Sequence, residues 1–543
     1  MKKCKEESER KDMKKVASWK ELTLREKIGQ TVICLCESEK HVEMCGSVES
    51  FLQKYPIGGI FNNGGIVKGL LTGANLQFKN ILEEYNRYLR VPLVGAADWG
   101  TFAAGKGITM IPQMALGATD NEDLAYAVGE FIAEDCRLSG VHWAFWPVCD
   151  LNISDRSPVT DTRSVSDNAD LCYKIVKAEI QAMKDKGIIA TLKHFPGTPY
   201  NETLDPHLTP INNETPIDVW RENYGQLYKR LFANKVPAVM TGHVNLVDYQ
   251  EEQIDGVYPP ATMSYELTTK LLREELGFQG VTVTDALVMG GFSGNKAMEN
   301  TIRSFLSGND VLLWPAYEYI DVMEQKILAG EIEEKLLDAA VERIWNMKVE
   351  YGIISNEDTQ IKERPLEDAA FFEERAHRAA EKCLTLVSDE NHILPMNRKD
   401  VKNVLIVGVT PDDGQYAELC ALKAEFEKYG CEVTMRRNIW TEDVEKAAGE
   451  KDLILFALCR TTHRPIGPLD FWGEEATSIW SSNCSDRTKT VVVSFGTPYL
   501  YKYYKTSKMT YVNAYSCSRY VLSGFVRALF GDVPFAGKSS VKL

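Results

Sequence analysis

Long apolar runs are missing from this chain of 543 residues. No stretch approaches the roughly 20 apolar residues that a membrane-spanning helix needs, and no apolar segment follows the charged N-terminus as in a secretory signal. Positive charge is also scarce, since 62 Lys and Arg residues stand against 77 Asp and Glu residues, giving a net charge of −15. An acidic chain repels phosphate backbones. We therefore expect a cytoplasmic protein that binds neither a membrane nor nucleic acid.

The motifs of several cofactor and metal sites are missing as well. The chain has no phosphate-binding Gly-x-x-x-x-Gly-Lys-Ser/Thr, no His-Glu-x-x-His and no Gly-x-Ser-x-Gly. Its 13 cysteines include no Cys-x-x-Cys, and its eight histidines are dispersed. Neither a disulfide framework nor a zinc site is indicated. The sequence predicts no cofactor and no metal, and it leaves the oligomeric state open.

Short apolar runs alternate with amphipathic helical patterns between residues 22 and 352. Uncharged runs rich in β-branched residues are typical of strands that are buried on both faces of a parallel sheet. Repeated strand–helix units predict an α/β fold, either a doubly wound sheet or a TIM-type (β/α) barrel, and their number favours the barrel. We place a charged leader at 1–18 and the barrel at 19–353. The predicted strands are 59–61, 93–96, 143–147, 190–193, 238–241, 281–284 and 311–313, and helical patterns cover 122–138, 170–186, 216–233 and 266–276.

A second α/β series follows the predicted barrel. Residues 354–385 suit a linker and a connecting helix, the helix being expected at 369–383. Residues 386–543 are expected to form an α/β sandwich domain. Its predicted strands are 403–409, 432–435, 452–457 and 490–495.

Polar side chains directly follow several of the predicted barrel strands. The carboxyl ends of parallel strands meet at one rim of a barrel, where active sites are built. We therefore expect these side chains to converge, although each one alone also suits a turn or a strand end. They are Asp98, Asp150, Asn152, Lys193, His194, His243 and Asp285.

Three of the acidic and imidazole side chains suggest covalent chemistry. Asp285 ends the apolar run 280–284, and a carboxylate on a rigid strand can attack an electrophilic carbon and leave as an ester. Asp205 and His207 lie two apart in the loop after 190–193, close enough for the carboxylate to orient an imidazole that moves protons. The alternatives are a helix N-cap at Asp285 and a solvated surface loop at Asp205–His207.

Several motifs, in order along most of the chain, resemble glycoside hydrolase family 3. KHFPG at 193–197 is similar to a hallmark of that family, and LREELGFQGVTVTD at 272–285 is similar to its nucleophile segment. Further similar segments are LTLREKIGQ at 22–30, FWPVCDLN at 145–152, DTRSVSDN at 161–168, MTGHV at 240–244 and ALFGD at 528–532.

The resemblance implies a retaining β-glycosidase on a TIM-type barrel with an α/β sandwich behind it. Asp285 would be the nucleophile. In the β-N-acetylglucosaminidase branch an Asp-x-His dyad serves as acid/base, which implies His207 as acid/base and Asp205 as its partner. Thr198-Pro199 and Pro206 depart from the pattern of that branch, and Pro206 is expected to stiffen the loop. The residues implied to grip the sugar are Asp98, Arg163, Lys193, His194 and His243.

The resulting hypothesis is an exo-β-N-acetylglucosaminidase that hydrolyses small carbohydrates through a covalent glycosyl-Asp intermediate. Three alternatives stay open. A β-glucosidase or other exo-β-glycosidase would prefer an aryl glucoside. A phosphorylase would show phosphate-stimulated cleavage, which an imidazole acid/base permits because it does not repel phosphate as a carboxylate does. A non-catalytic protein would bind the sugar without forming product.

Overall fold

Eight short strands among the described residues build the first half of the molecule. The computed structural model describes residues 15–62, 71–98, 109–199, 203–292, 296–354, 369–461 and 471–543. Each strand is followed by helical chain, as expected for β/α units. The strands are β1 Val32–Leu35, β2 Gly59–Phe61, β3 Val94–Ala97, β4 Trp143–Ala144, β5 Thr191–Phe195, β6 Ala238–Thr241, β7 Val281–Thr284 and β8 Leu312–Leu313.

These strands close into a parallel barrel. Hydrogen-bonded pairing runs in the order β4-β3-β2-β1-β8 on one side and β5-β6-β7 on the other. Three parallel bridges join the halves, Trp143 with Ile189, Val148 with Lys193 and Val283 with Val311. The ring therefore runs through all eight strands in chain order. The predicted TIM-type barrel is confirmed.

Most residues of the barrel strands are buried on both faces, which is why their sequences are predominantly uncharged and apolar. All four residues of β6 and all four of β7 are buried. Side chains such as Ile33, Trp143 and Val281 form a core inside the ring, separate from the larger core between the strands and the outer helices. The outer helices are Leu24–Gln30, Ser38–Cys45, Val48–Lys54, Leu71–Asn86, Gln113–Thr119, Glu122–Ser139, Ala169–Asp185, Ile217–Trp220 continued by a π-type turn at Arg221–Gly225 and by Gln226–Phe232, the π-type helix Glu266–Glu275, Ala297–Leu306, Glu318–Leu328 and Glu334–Glu350.

The last of these helices closes the end of the barrel where the strands begin. Lys348 is buried, and its Nζ donates to the carbonyls of Gly58 at 2.9 Å and Pro92 at 2.8 Å, just before β2 and β3. Ile344 and Met347 of the same helix join the core inside the ring. Access to the interior is therefore left at the opposite rim, where the strands end.

A six-stranded sheet forms the C-terminal domain, with strand order β11-β10-β12-β13-β14-β9. All neighbours are parallel except β14 and β9, which pair antiparallel at the edge. Helices pack around the sheet, so the predicted α/β sandwich is confirmed. The strands are β9 Thr385–Ser388, β10 Asn403–Val409, β11 Glu432–Arg437, β12 Leu453–Leu458, β13 Thr490–Ser494 and β14 Thr510–Asn513, and the helices are Ala369–Cys383, Asp413–Leu419, Ala421–Glu427, Thr441–Ala448, Gly473–Cys484 and Arg519–Leu529.

Several strand predictions need correction. The strand predicted at 143–147 is only Trp143–Ala144, because Pro147 has no N–H to continue the ladder. β1, β9 and β14 were not predicted. Other boundaries move by one or two residues, as at β3 and β5. Residues 1–14 of the predicted leader and 355–368 of the predicted linker lie outside the described residues. No helix within the described ranges is long and apolar enough to cross a membrane.

Candidate active site

A cavity of about 300 Å³ opens at the rim where the barrel strands end. Every side chain proposed from the sequence for catalysis or sugar binding lies on its wall except Asp205, which is buried directly behind His207. The proposed residues on the wall are Asp98, Arg163, Lys193, His194, His207, His243 and Asp285.

β5 presents two side chains to this cavity, each bound to a carboxylate. The Nζ of Lys193 lies 2.5 Å from Oδ1 of Asp98, which follows β3. The next residue, His194, contacts Asp150 through Nδ1 at 2.8 Å and also donates its backbone N–H to that carboxylate. With Nδ1 held in this way, the Nε2 of His194 faces Asp285, 4.0 Å from its Oδ2. Two carboxylates thus orient a lysine and an imidazole.

Asp285 directly follows β7 and is fixed by backbone contacts. Its N–H donates to the Thr241 carbonyl at 2.8 Å, and its Oδ1 accepts the N–H of Ala286 at 2.8 Å. Burial by itself would raise the pKa of Asp285, but the neighbouring His194 imidazole and the hydrogen bond from the Ala286 N–H outweigh it, and the pKa lies below its usual value. The side chain is therefore an ionised carboxylate at neutral pH.

His243 follows β6 and has both ring nitrogens occupied by protein groups. Nε2 lies 2.9 Å from the Ala286 carbonyl, which can only accept, so this nitrogen carries the proton. Nδ1 lies 3.0 Å from the Thr262 hydroxyl. Burial lowers the pKa of His243 more than the neighbouring Asp285 raises it, which keeps the ring neutral. The ring edge thus supports the turn after Asp285.

His207 reaches the cavity from the loop after β5, and its partner is Asp205. Oδ1 of Asp205 lies 2.6 Å from the ring Nδ1 of His207 and accepts the backbone N–H of His207 at 2.8 Å. Only 3% of Asp205 is exposed. Because Nδ1 is held from behind, Nε2 is the nitrogen left for the cavity.

The His207 loop is anchored to the chain that follows Asp285. The N–H of Gly290 donates to the His207 carbonyl at 2.9 Å, and the N–H of Gly291 donates to the Pro206 carbonyl at 2.9 Å. The departures from the branch pattern at Thr198-Pro199 and Pro206 therefore do not turn His207 away from the cavity. Thr198, Pro199 and Pro206 are themselves part of the wall.

Arg163 enters the wall from the segment between β4 and the helix Ala169–Asp185. It ends a short 3-10 helix, Asp161–Arg163, and its Nη1 donates to the Val159 carbonyl at 2.8 Å. This hydrogen bond orients the guanidinium group of Arg163.

Sequence reasoning left out parts of the site. Asp150 follows a predicted strand, and that position was the only signal for its role in holding His194. The aromatic side of the cavity, formed by Phe61, Phe145 and Trp314, gave no signal. Phe61 meets Phe145 and Trp314 at ring-centroid distances of 5.7 and 5.1 Å. Among the residues the structure describes, no cluster of His, Cys, Asp and Glu is placed to hold a metal ion.

Fold and site together define a class of protein. A (β/α) barrel with an open cavity at the carboxyl ends of its strands, lined by carboxylates, imidazoles and aromatic rings, has the architecture of a barrel enzyme that acts on a small polar molecule.

Comparison with known proteins gives the family. The model of the glycosyl hydrolase family 3 N-terminal domain matches residues 23–347. A beta-N-acetylglucosaminidase/beta-glucosidase from Cellulomonas fimi is 30% identical over 458 residues, which is 79% of each chain. A beta-hexosaminidase A from Pseudoalteromonas piscicida is 29% identical over 260 residues, which is 43% of each chain. The protein belongs to glycoside hydrolase family 3 and is a glycoside hydrolase.

Solved structures share this fold across both domains. A family 3 beta-N-acetylglucosaminidase from Paenibacillus sp. superposes with a TM-score of 0.79 at 22% identity, covering 96% of this chain and 99% of that one. A beta-glucoside phosphorylase, BglX, superposes with a TM-score of 0.80 at 23% identity, covering 96% and 94%. At these identities the likeness concerns the fold alone.

Proposed function

We propose that this glycoside hydrolase is a retaining exo-β-N-acetylglucosaminidase in which Asp285 is the nucleophile and His207 the acid/base. One observation supports this most directly: Asp285 and His207 line the same cavity, and the buried Asp205 carboxylate holds the far nitrogen of the His207 ring. An acid and a nucleophile acting on the same glycosidic bond need this proximity.

In the first step, Oδ2 of Asp285 forms a bond to the anomeric carbon while the bond to the leaving oxygen breaks. Oδ2 is assigned because Oδ1 accepts the Ala286 N–H. The proton on Nε2 of His207 passes to the leaving oxygen, and the buried Asp205 carboxylate stabilises the imidazolium before that transfer.

In the second step, water attacks the anomeric carbon and the ester bond to Asp285 breaks. Nε2 of His207, now without its proton, takes one from the attacking water. The enzyme returns to its starting state, and two inversions retain the β-configuration. Both steps pass through a positively charged sugar ring, which the ionised Asp285 stabilises.

The sugar would be held by the polar side chains on the rim, beginning with Lys193 and Asp98. Lys193 and Asp98 present a donor and an acceptor side by side, which suits two adjacent hydroxyls. His194 and Arg163 supply further polar edges, and Trp314 offers an apolar ring face. In this proposal His243 lines the subsite but acts by supporting the Ala286 turn, since both of its nitrogens are occupied.

A phosphorylase is the second candidate. Lys193 and Arg163 line the same cavity, and the proposed acid/base is an imidazole, so an incoming phosphate has two cationic side chains to contact and does not meet a carboxylate acid/base. A β-glucosidase is the third, because the Cellulomonas fimi relative carries both activity names.

The proposal is tested with a panel of 4-nitrophenyl β-glycosides, assayed with and without phosphate. We expect the N-acetylglucosaminide to give the highest kcat/KM and retention of configuration, and Asp285→Ala to lower kcat by about 10⁴-fold or more. Asp218→Ala, which changes an acid whose side chain is 93% exposed, is the control and should leave kcat unchanged.

Other outcomes select a rival or reject the assignment. Preference for the glucoside favours a β-glucosidase, and sugar 1-phosphate among the products favours a phosphorylase. Wild-type turnover by Asp285→Ala, or covalent labelling of another carboxylate by a fluorinated glycoside, contradicts the nucleophile assignment.

A further inference from the structure

The segment that carries Arg163 is organised around Asn152. The N–H of Asn152 donates to the Ser166 carbonyl at 2.9 Å, and its Nδ2 donates to the Asp161 carbonyl at 3.1 Å. Its Oδ1 accepts the hydroxyl of Thr160 at 2.8 Å. These bonds tie both ends of the segment 152–166 together, and the position of Arg163 on the cavity wall follows from them.

A tyrosine of the C-terminal domain reaches this centre. Tyr499 lies in the 3-10 helix Pro498–Tyr503, which follows β13. Its hydroxyl donates to the Asn152 carbonyl at 3.1 Å. Burial raises the pKa of Tyr499, so the hydroxyl remains a protonated donor. In the same helix, the Nζ of Lys502 lies 3.6 Å from Oδ2 of Asp155.

The end of the chain contacts the other side of the segment. The hydroxyl of Ser166 donates to the carbonyl of Ser540, which is itself buried. The N–H of Lys542 donates to Oδ2 of Asp167 at 3.0 Å. The C-terminal domain therefore holds the segment at its beginning, through Tyr499, and at its end, through residues 540–542.

We propose that the C-terminal domain positions Arg163 for substrate binding, and that Tyr499 is the positioning residue through which it acts. The proposal rests on the proposed function, in which Arg163 grips the sugar. A free segment with a long arginine would have to be ordered when substrate binds, at a cost in affinity. When the C-terminal domain holds the segment 152–166 in place, the segment becomes ordered during folding instead of during substrate binding. The effect should fall on KM, because Asp285 follows β7 and the His207 loop is anchored to Gly290 and Gly291, outside the segment 152–166.

The test is Tyr499→Phe in the full chain, assayed with the best aryl glycoside of the panel. Removing one hydrogen bond should raise KM about three- to tenfold, with kcat changed less than about twofold. Tyr504→Phe is the matched control, because the Tyr504 hydroxyl bonds Ser482 at 2.8 Å within the C-terminal domain. Its KM should equal that of the wild type.

A double-mutant cycle separates positioning from general destabilisation. If Tyr499 acts through Arg163, Tyr499→Phe should change KM less than about twofold in an Arg163→Ala background. A full additional rise in that background, an unchanged KM in Tyr499→Phe alone, or an equal rise in Tyr504→Phe overturns the proposal.

Hydrogen exchange gives a readout that does not depend on turnover. Backbone amides of residues 150–167 should exchange faster in Tyr499→Phe than in the wild type or in Tyr504→Phe. Unchanged exchange in that segment contradicts a positioning role for Tyr499, even if the enzyme is active. If the wild type is inactive but exchange is faster in Tyr499→Phe, the proposed function is wrong. The hold of Tyr499 on the segment 152–166 is then still supported.

Discussion

Asp205 is the residue whose substitution isolates acid catalysis. Its buried carboxylate touches His207 twice, at Nδ1 and at the backbone N–H. Asp205→Asn keeps the size of the side chain but removes the charge that stabilises the imidazolium. We expect kcat/KM for a 4-nitrophenyl or alkyl glycoside to fall about 10²- to 10³-fold.

The leaving group provides the measurement. A 2,4-dinitrophenolate leaves without a proton, so its glycoside should be cleaved by Asp205→Asn at close to the wild-type rate in the first step. His207→Ala should show the same pattern. Asp412→Asn, which changes an N-cap acid that accepts the Gln415 N–H at 2.8 Å, is the control. An equal loss for both leaving groups would assign Asp205 a structural role only.

The position of a residue at the end of a strand carried most of the information about the site. Asp98, His243 and Asp285 follow buried strands and Lys193 and His194 lie in the last part of β5, and parallel strands end at one rim. His207 was proposed from its two-residue spacing to Asp205 and then from the family resemblance, whereas Arg163 was proposed from the resemblance alone. Tyr499 could not be found from the sequence, because its contact with Asn152 spans 347 positions.

The position of His207 depends on two segments: its own loop and the chain after Asp285 that carries Gly291. A Cβ added to Gly291 would lie 2.7 Å from the Pro206 carbonyl and 2.9 Å from the Cβ of His243. Gly291→Ala must therefore push the His207 loop outward. We expect a loss of stability of about 1–3 kcal/mol, and a loss of kcat/KM that is larger for 4-nitrophenyl than for 2,4-dinitrophenyl glycosides.

Gly449→Ala is the matched control, because no atom lies within 4 Å of its added Cβ. It should leave both the unfolding midpoint and the kinetics unchanged. A Gly291→Ala variant with wild-type kinetics for both leaving groups would show that the His207 loop does not depend on this contact.

The elements that the sequence predicted well are those with a strong local signal. The helix Ala369–Cys383 and the strands β6, β7 and β10 have the predicted boundaries. β1 and β14 are four residues long and lie next to polar or charged chain. Their strand character comes from pairing with neighbours distant in sequence, β1 with β8 and β14 with β9. Local propensity cannot report such pairing.

His41 lies in the seam of the barrel, which is the region where its first and last β/α units meet. The ring stacks on Phe51 at 4.0 Å. Nδ1 lies 2.7 Å from the Tyr85 hydroxyl and Nε2 lies 2.8 Å from the Tyr317 hydroxyl, so a neutral ring links the first β/α units to the last. Burial lowers the pKa of His41 from 6.5 to about 4.

This lowered pKa predicts acid sensitivity of the entire fold. Between pH 6.5 and 4 the unfolded chain binds a proton at His41 that the folded chain does not, so the free energy of unfolding falls as the pH falls through this window. In His41→Phe, which is less stable at pH 7 because two tyrosine hydroxyls lose their partner, the slope should be shallower by up to about 1 kcal/mol per pH unit. Partly buried His142, whose pKa is also lowered to about 4, should maintain part of the slope.

Urea unfolding at half-unit steps from pH 4 to 7 measures that slope. His377→Phe is the control, because His377 is exposed and packs edge-on against Tyr520 at 4.8 Å, a contact that a phenyl ring can keep. Its slope should match the wild type. An unchanged slope in His41→Phe would mean that the ring is already protonated in the folded barrel, and that the seam tolerates a charge between the two tyrosines.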